Sequence, residues 1–128
     1  MGFSIVSPEQ LAWLTRPHDP GEPARYVAEL QDLVGFERSR ANFWRYEPGA
    51  KGRRHVHGEQ EETFVVLAGQ MTMYLGEPPV RHLVPTGGVV HVQARTPLQA
   101  ANEGDEELLV YAYGAPPDHG AEVLPAAV

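Results

Sequence analysis

Glycine and proline interrupt this chain along almost its whole length. With 13 glycines and 12 prolines in 128 residues, the segments between turns are short. Short apolar segments separated by turn residues are typical of β-sandwiches and barrels, because helices need longer unbroken stretches. The length fits one domain, since domains commonly have about 100–150 residues. The sequence therefore predicts an all-β fold in a single domain.

The strand pattern occupies residues 36–115, which we predict to form a β-barrel. The stretch ETFVVLAGQMTMYLG is predicted to be a hairpin that turns at residues 68–70. The other predicted strand segments are RANFWRY, RRHVH, VRHLV, VVHVQ, PLQAA and ELLVYAY.

The two ends of the chain are less regular. Residues 1–35 are predicted to be an N-terminal arm with a short helix at SPEQLAWLT, where Ser7 can cap the helix and Pro8 suits its first position. The segment ARYVAELQDLVG is either a second helix or part of an extended arm. Residues 116–128 are predicted to be an irregular tail of the same domain.

Several predicted strands are apolar on both faces. In TFVVL, Phe64 and Val66 point to one side, and Val65 and Leu67 point to the other. One face can line a barrel interior, while the other must be covered by a second sheet, the N-terminal arm or a partner subunit. We therefore expect a homodimer.

Composition excludes several functions. The net charge of −7 argues against nucleic acid as a partner, because phosphate binding needs a clustered basic face. No apolar stretch approaches the roughly 20 residues of a membrane helix, and no secretory signal is visible at the start. The absence of cysteine excludes disulfides and thiol catalysis and fits a cytoplasmic location.

The candidate functional residues lie in PGAKGRRHVHGEQEETFVVLAG, residues 48–69. His55 and His57 are two positions apart, so on a strand they share one face with Arg53. Paired imidazoles suit a first-row transition metal, and a carboxylate from the next strand would complete three ligands. The alternative is a pair of histidines that face solvent or contact a substrate on a barrel rim. The spacing alone leaves both open.

The same stretch resembles the first motif of the cupin superfamily. That motif has Gly, five residues, His-x-His, three or four residues, Glu, six residues and Gly, which match Gly49, His55, His57, Glu62 and Gly69. Glu61 also fits the gap after the histidines, but only Glu62 keeps six residues before the last glycine. The resemblance implies a cupin-type double-stranded β-helix, or jelly-roll, barrel.

The second cupin motif is incomplete. Its best register runs from Gly87 to Asn102, where Gln93 and Arg95 replace the Pro and Gly positions. Leu98 occupies the position of the usual histidine ligand. The resemblance therefore implies a fold without the fourth ligand of the family.

The resemblance implies a metal site of His55, His57 and Glu62 that holds one divalent iron, manganese, nickel or zinc ion per chain. Glu62, or its neighbour Glu61, is the candidate catalytic proton acceptor. Arg53 is a candidate substrate-binding residue because a guanidinium pairs with carboxylates and phosphates. Leu98 would add apolar surface to the substrate pocket.

Two residues are candidates to replace the missing ligand. His91 lies on the strand before the turn, and Gln99 would take the place of Leu98 if the register slipped by one residue. The remaining histidines, His18, His82 and His119, are interpreted as surface residues.

Two functions remain open. One is a metal-dependent enzyme that acts on a small molecule by dioxygenase-, isomerase- or lyase-type chemistry. The other is a binding or sensing module with a weakened or empty metal site. Fold membership does not choose between them, because one fold hosts many activities.

Overall fold

The computed structural model describes residues 2–118 and 120–128 and consists of two antiparallel sheets. The described strands are β1 Trp13–Thr15, β2 Arg25–Glu29, β3 Arg40–Tyr46, β4 His55–Val56, β5 Glu61–Ala68, β6 Met71–Leu75, β7 Val80–Val84, β8 Val89–Val92, β9 Leu98–Ala101, β10 Leu108–Ala115 and β11 Glu122–Val123. The six-stranded sheet has the order β1-β2-β3-β10-β5-β8, and the five-stranded sheet has the order β11-β4-β9-β6-β7. The prediction of an all-β double-stranded barrel is confirmed.

The core lies between the two sheets. Phe64 and Val66 of β5 are buried on the inner face of one sheet, and Met71 and Met73 of β6 are fully buried on the other. Their alternation along each strand follows the two-residue period of β-structure. The barrel interior is therefore apolar over most of its depth.

The predicted hairpin at residues 68–70 is wrong in its pairing, although the turn is present. β5 pairs with β10 and β8, whereas β6 pairs with β9 and β7, so the two strands lie in different sheets. Gly69 turns the chain from one sheet to the other with a φ of +78°. Local sequence shows a turn between two apolar strands, but the partner of each strand is set by distant segments.

The predicted first helix is corrected, and the second segment takes the extended one of its two alternatives over β2. SPEQLAWLT forms only a three-residue 3-10 helix, Pro8–Gln10, and then enters β1. In the segment ARYVAELQDLVG, β2 is extended and buries Val27 and Ala28, and the chain then turns at residues 31–34. Pairing of β2 with β3 and β1 decides its conformation, because tertiary hydrogen bonds and burial outweigh helix propensity. No helix in residues 2–118 or 120–128 is long and apolar enough to cross a bilayer.

The C-terminal tail is less irregular than predicted. β11 pairs with β4, and the Leu124 amide donates to the Arg54 carbonyl at 2.8 Å. The Ala127 amide donates to Gln99 Oε1, also at 2.8 Å. These hydrogen bonds hold the tail against β4 and β9. They satisfy backbone amides that would otherwise need water as a partner.

Candidate metal centre

The two histidines and Glu62 come from different sheets and meet between them. His55 lies on β4, and His57 follows directly after that strand. Glu62 is the second residue of β5, in the opposite sheet. The short connection between these strands brings the three side chains to one end of the barrel interior.

The three groups converge closely. Glu62 Oε1 lies 2.9 Å from His57 Nε2 and 3.5 Å from His55 Nε2. One ligand atom from each residue falls within 4.8 Å of the others. The two imidazole rings are nearly perpendicular, at 88°, with centroids 5.1 Å apart. Both Nε2 atoms therefore approach the same carboxylate oxygen from different directions.

The contacts within this cluster fit a metal better than a closed hydrogen-bond network. Glu62 Oε1 is buried, and despite its 2.9 Å distance from His57 Nε2 it has no well-aligned hydrogen bond. His55 Nδ1 lies 3.0 Å from the Arg53 carbonyl oxygen, which can only accept, so Nδ1 carries the proton and, in the neutral ring, Nε2 has a free lone pair. Such second contacts are the usual way in which a protein orients a metal-binding histidine.

The electrostatics of the cluster keep Glu62 ionised. Burial opposes its ionisation, but the contacts with His55 and His57 outweigh burial and lower the pKa of Glu62 to about 2. Burial likewise works against charge on His55, yet the Glu62 carboxylate and the Arg53 carbonyl raise its pKa above the usual value. The site thus presents an anionic oxygen and two imidazoles to whatever binds between them.

Asp118 lies near the Nδ1 side of the His57 ring. Its Oδ2 lies 3.9 Å from His57 Nδ1, a nitrogen that is buried and has no hydrogen-bond partner in the described structure. Backbone amides of Gly120, Glu59 and Gly58 donate to the Asp118 carboxylate and lower its pKa. The tail therefore supplies a fixed negative charge next to a ligand of the candidate site.

A cavity of about 230 Å³ opens beside the three residues. Both candidate substrate-binding residues, Arg53 and Leu98, line it. Leu98 is 2% exposed and pairs across the strands with His55, so the two side chains share a face. Trp44 and Tyr46 of β3 also line the cavity, whereas Phe43 packs on Tyr111 outside it.

The structure places the other candidates away from the cluster. Glu61 is exposed and lies 3.6 Å from His91 Nε2. Gln99 donates to the Gly52 carbonyl at 2.9 Å and points toward the tail. Neither His91 nor Gln99 joins the three ligand atoms. Of the remaining histidines, His18 and His82 do not line the cavity, and His119 lies outside the described residues.

Sequence reasoning missed three polar residues near the site. Arg25 was assigned to an arm, yet it is buried and lines the cavity. Gln60 is 2% exposed and fills the space beside Gly114, and Asp118 is described above. Arg25 lies in a segment that is compatible with a strand, which is the one sequence feature that points to it. The sequence does not show which residues lie across from it in the sheet. Gln60 and Asp118 lie in connections, where periodicity carries no information.

Comparison with known proteins agrees with the fold. The family model described as "Cupin domain" matches residues 42–113. Among curated proteins no significant sequence match was found.

Solved structures share the fold at low sequence identity. A Klebsiella pneumoniae protein with a double-stranded β-helix domain is 24% identical over 95% of this chain and 97% of its own, with a TM-score of 0.72. A sugar phosphate isomerase of the cupin superfamily from Silicibacter pomeroyi is 22% identical over 87% of this chain and 74% of its own, with a TM-score of 0.73. The polyketide cyclase RemF from Streptomyces resistomycificus is 15% identical over 96% of this chain and 86% of its own, with a TM-score of 0.78.

Proposed function

Because the chain belongs to the cupin family, we propose that His55, His57 and Glu62 bind one divalent transition metal ion and that the barrel acts on a small organic molecule. The observation that carries this proposal is the buried Glu62 oxygen that two imidazole nitrogens approach without a well-aligned hydrogen bond. Two imidazoles and one carboxylate suit iron, manganese, nickel or zinc. Bound there, such an ion would supply Lewis-acid polarisation of a substrate oxygen.

The protein's own residues then bind and orient the substrate. Leu98 and Trp44 give the cavity an apolar wall, which excludes water and suits the carbon skeleton of a small molecule. Glu62 is ionised at neutral pH, so it can neutralise a bound cation, whereas its pKa of about 2 makes it a weak acceptor for a substrate proton. The fold alone does not select the reaction, since an isomerase and a cyclase share it.

One observation favours a second candidate, a binding module without catalysis. Leu98 lies across from His55 in the sheet and is buried. Related proteins are expected to have a fourth ligand at this position, so this protein has three candidate ligands and an apolar side chain instead. Fewer ligands weaken metal binding, and the cavity could then hold an organic ligand directly. Metal content distinguishes the two functions.

The test is metal analysis by mass spectrometry on purified untagged protein, comparing the wild type with His57→Ala. His91→Ala is the matched control, since it removes an imidazole from the outer face of the neighbouring strand β8. We expect close to one metal ion per chain in the wild type and in His91→Ala. His57→Ala should lose it, because two ligands remain.

Two results would contradict the metal proposal. One is a wild-type protein that takes up no iron, manganese, nickel or zinc even after incubation with each ion. The other is a His57→Ala variant that holds as much metal as His91→Ala. A metal-free protein that still retains an organic molecule would support the binding module instead.

A further inference from the structure

Arg25 is a buried cation without a buried anion. Its side chain lies on the inner face of β2, is 8% exposed and lines the cavity of the candidate metal centre. Its guanidinium carbon lies 5.1 Å from the centroid of the Trp44 ring. Within residues 2–118 and 120–128, it forms no ion pair with a carboxylate. Buried charges in proteins are normally paired, because removing a charge from water is costly.

A row of cross-strand neighbours explains how Arg25 reaches the cavity. Arg25 pairs with Tyr46 of β3, and Tyr46 pairs with Leu108 of β10. On the other side, the Arg16 amide donates to the Arg25 carbonyl at 2.9 Å, which extends the ladder between β1 and β2 by one residue. Side chains in such a row share one face of the sheet. All four line the cavity.

Arg16, the last residue of this row, also lines the cavity and forms no ion pair with a described carboxylate. Its Nε is buried and has no hydrogen-bond partner in the described structure. Two neighbouring guanidinium groups therefore line one cavity, and neither forms an ion pair with a carboxylate in the described part of the chain. Guanidinium donors are arranged as a planar fork that matches the oxygens of a carboxylate or a phosphate.

The charge of the cavity is opposite to that of the whole chain. Its described lining contains four arginines, Arg16, Arg25, Arg40 and Arg53, and a single carboxylate, Glu62. The chain as a whole carries a net charge of −7. A concave site with a positive lining in an anionic protein concentrates small anions there, because the low-dielectric walls focus the field. Glu62 cancels only one of these four positive charges, so the described lining keeps a net positive charge.

We propose that Arg25, assisted by Arg16, binds the carboxylate or phosphate group of a small organic anion that is the substrate of the metal centre. This inference rests on the proposed function and adds the substrate class to it. The cavity of about 230 Å³ suits a molecule of a few carbon atoms. The Trp44 ring and the apolar wall pack on its carbon skeleton, and its anionic end contacts Arg25 and Arg16.

The test is a calorimetric titration of the full chain with three matched probes. Glycerol 3-phosphate carries a phosphate ester, glycerate carries a carboxylate, and glycerol is neutral. We expect at least one anion to bind and glycerol not to bind. Arg25→Gln should weaken anion binding by about tenfold or more, because hydrogen bonds to charged groups contribute about 1.5–3 kcal/mol. The anion that binds identifies the chemical group.

Two further variants keep the test decisive. Arg16→Gln changes a half-buried residue and should also weaken anion binding, which covers the case in which Arg25→Gln does not fold. Arg81→Gln is the matched control, since Arg81 pairs with Glu103 outside the cavity, and it should bind the anion like the wild type.

The inference is overturned if neither anion binds better than glycerol, or if the folded Arg25 and Arg16 variants bind it as tightly as Arg81→Gln. Metal content measured on the same samples separates the two proposals. Protein that holds metal but shows no arginine-dependent anion binding refutes the substrate class alone. Arginine-dependent binding in protein that takes up no metal supports the anion site and refutes the metal centre.

Discussion

At the scale of single residues, position 98 bears on the metal affinity of the proposed site. Leu98 lies directly across from His55 on the inner face of the barrel and is buried. Because the two residues are cross-strand neighbours, the Leu98 side chain lies on the same face of its sheet as His55. An imidazole at this position would have the direction that a fourth ligand needs.

We predict that Leu98→His tightens metal binding. A fourth ligand should lower the dissociation constant by about tenfold or more, equivalent to about 1.4 kcal/mol. The measurement is competition with a chelator of known affinity. The same change should destabilise the metal-free protein, because it replaces a buried leucine with a polar ring. An unchanged dissociation constant would show that residue 98 does not face the ligands.

Leu98→Met is the control for the Leu98→His experiment. Methionine conserves volume and is tolerated in cores. It should leave the affinity for iron, manganese or zinc near the wild-type value, because a thioether is a poor ligand for these ions.

At the scale of elements, Gly69 holds the corner between the two sheets. A Cβ atom at this residue would lie 2.5 Å from the Glu107 carbonyl oxygen and 3.1 Å from Leu108 Cα. Both atoms belong to backbone at the start of β10, which cannot move without disturbing that strand. The positive φ and the close approach therefore both require glycine.

We predict that Gly69→Ala destabilises the protein more than Gly87→Ala. Gly87 also has a positive φ, of +86°, but a Cβ there meets nothing within 4 Å. Gly87→Ala should cost about 1–2 kcal/mol for the backbone conformation alone. Gly69→Ala should cost a further 1–3 kcal/mol, roughly the penalty of overpacking. Urea unfolding measures both, and equal losses would contradict the contact with β10.

Glu47 connects β2 to the end of β3. Its carboxylate accepts hydrogen bonds from the Ala24 amide at 2.7 Å and from the Tyr26 hydroxyl at 3.0 Å, the residues on either side of Arg25. These hydrogen bonds, the amide first, lower the pKa of Glu47 below its ordinary value of 4.5. A pKa lower in the folded state contributes stability above pH 4.5, and this contribution is lost as the pH falls below that value.

We predict that acidification from pH 7 to below 4.5 lowers the urea midpoint of the wild type more than that of Glu47→Gln. The amide cannot titrate, so its share of stability does not change with pH. Glu37→Gln, at an exposed glutamate, is the control for the altered charge and should follow the wild type. A Glu47→Gln variant that loses as much stability in acid as Glu37→Gln would contradict this role.

At the scale of the whole molecule, the apolar outer surface keeps the homodimer as our expectation. Phe3 and Ile5 are 78% and 84% exposed, and Leu14 of β1 is 54% exposed. Among the described strands, β1 is an edge strand that pairs only with β2, so one side of its backbone is open to another strand. A second copy of the chain placed on this edge would pair with the open side of β1 and lie next to Leu14.

We predict a dimer of about 28 kDa, twice the 14.1 kDa of one chain, by size-exclusion chromatography with light scattering. Leu14→Glu should give monomers, because a charge at a buried interface has no partner. Val80→Glu changes an exposed residue on β7, at the edge of the other sheet, and should remain dimeric. A monomeric wild type, or dissociation by Val80→Glu alone, would contradict an interface at β1.

The sequence alone determined the all-β fold class and the candidate cluster, because both depend on local order. Turn residues at short intervals and apolar alternation predict β-strands, and the spacing of His55, His57 and Glu62 matches a known motif. Only the tertiary structure decided which strands pair. It moved β6 out of the predicted hairpin, and it placed Arg25 opposite Tyr46, inside the cavity. Strand partners and inward faces depend on contacts between residues far apart in the chain, and the energies of those contacts are not written in the local pattern.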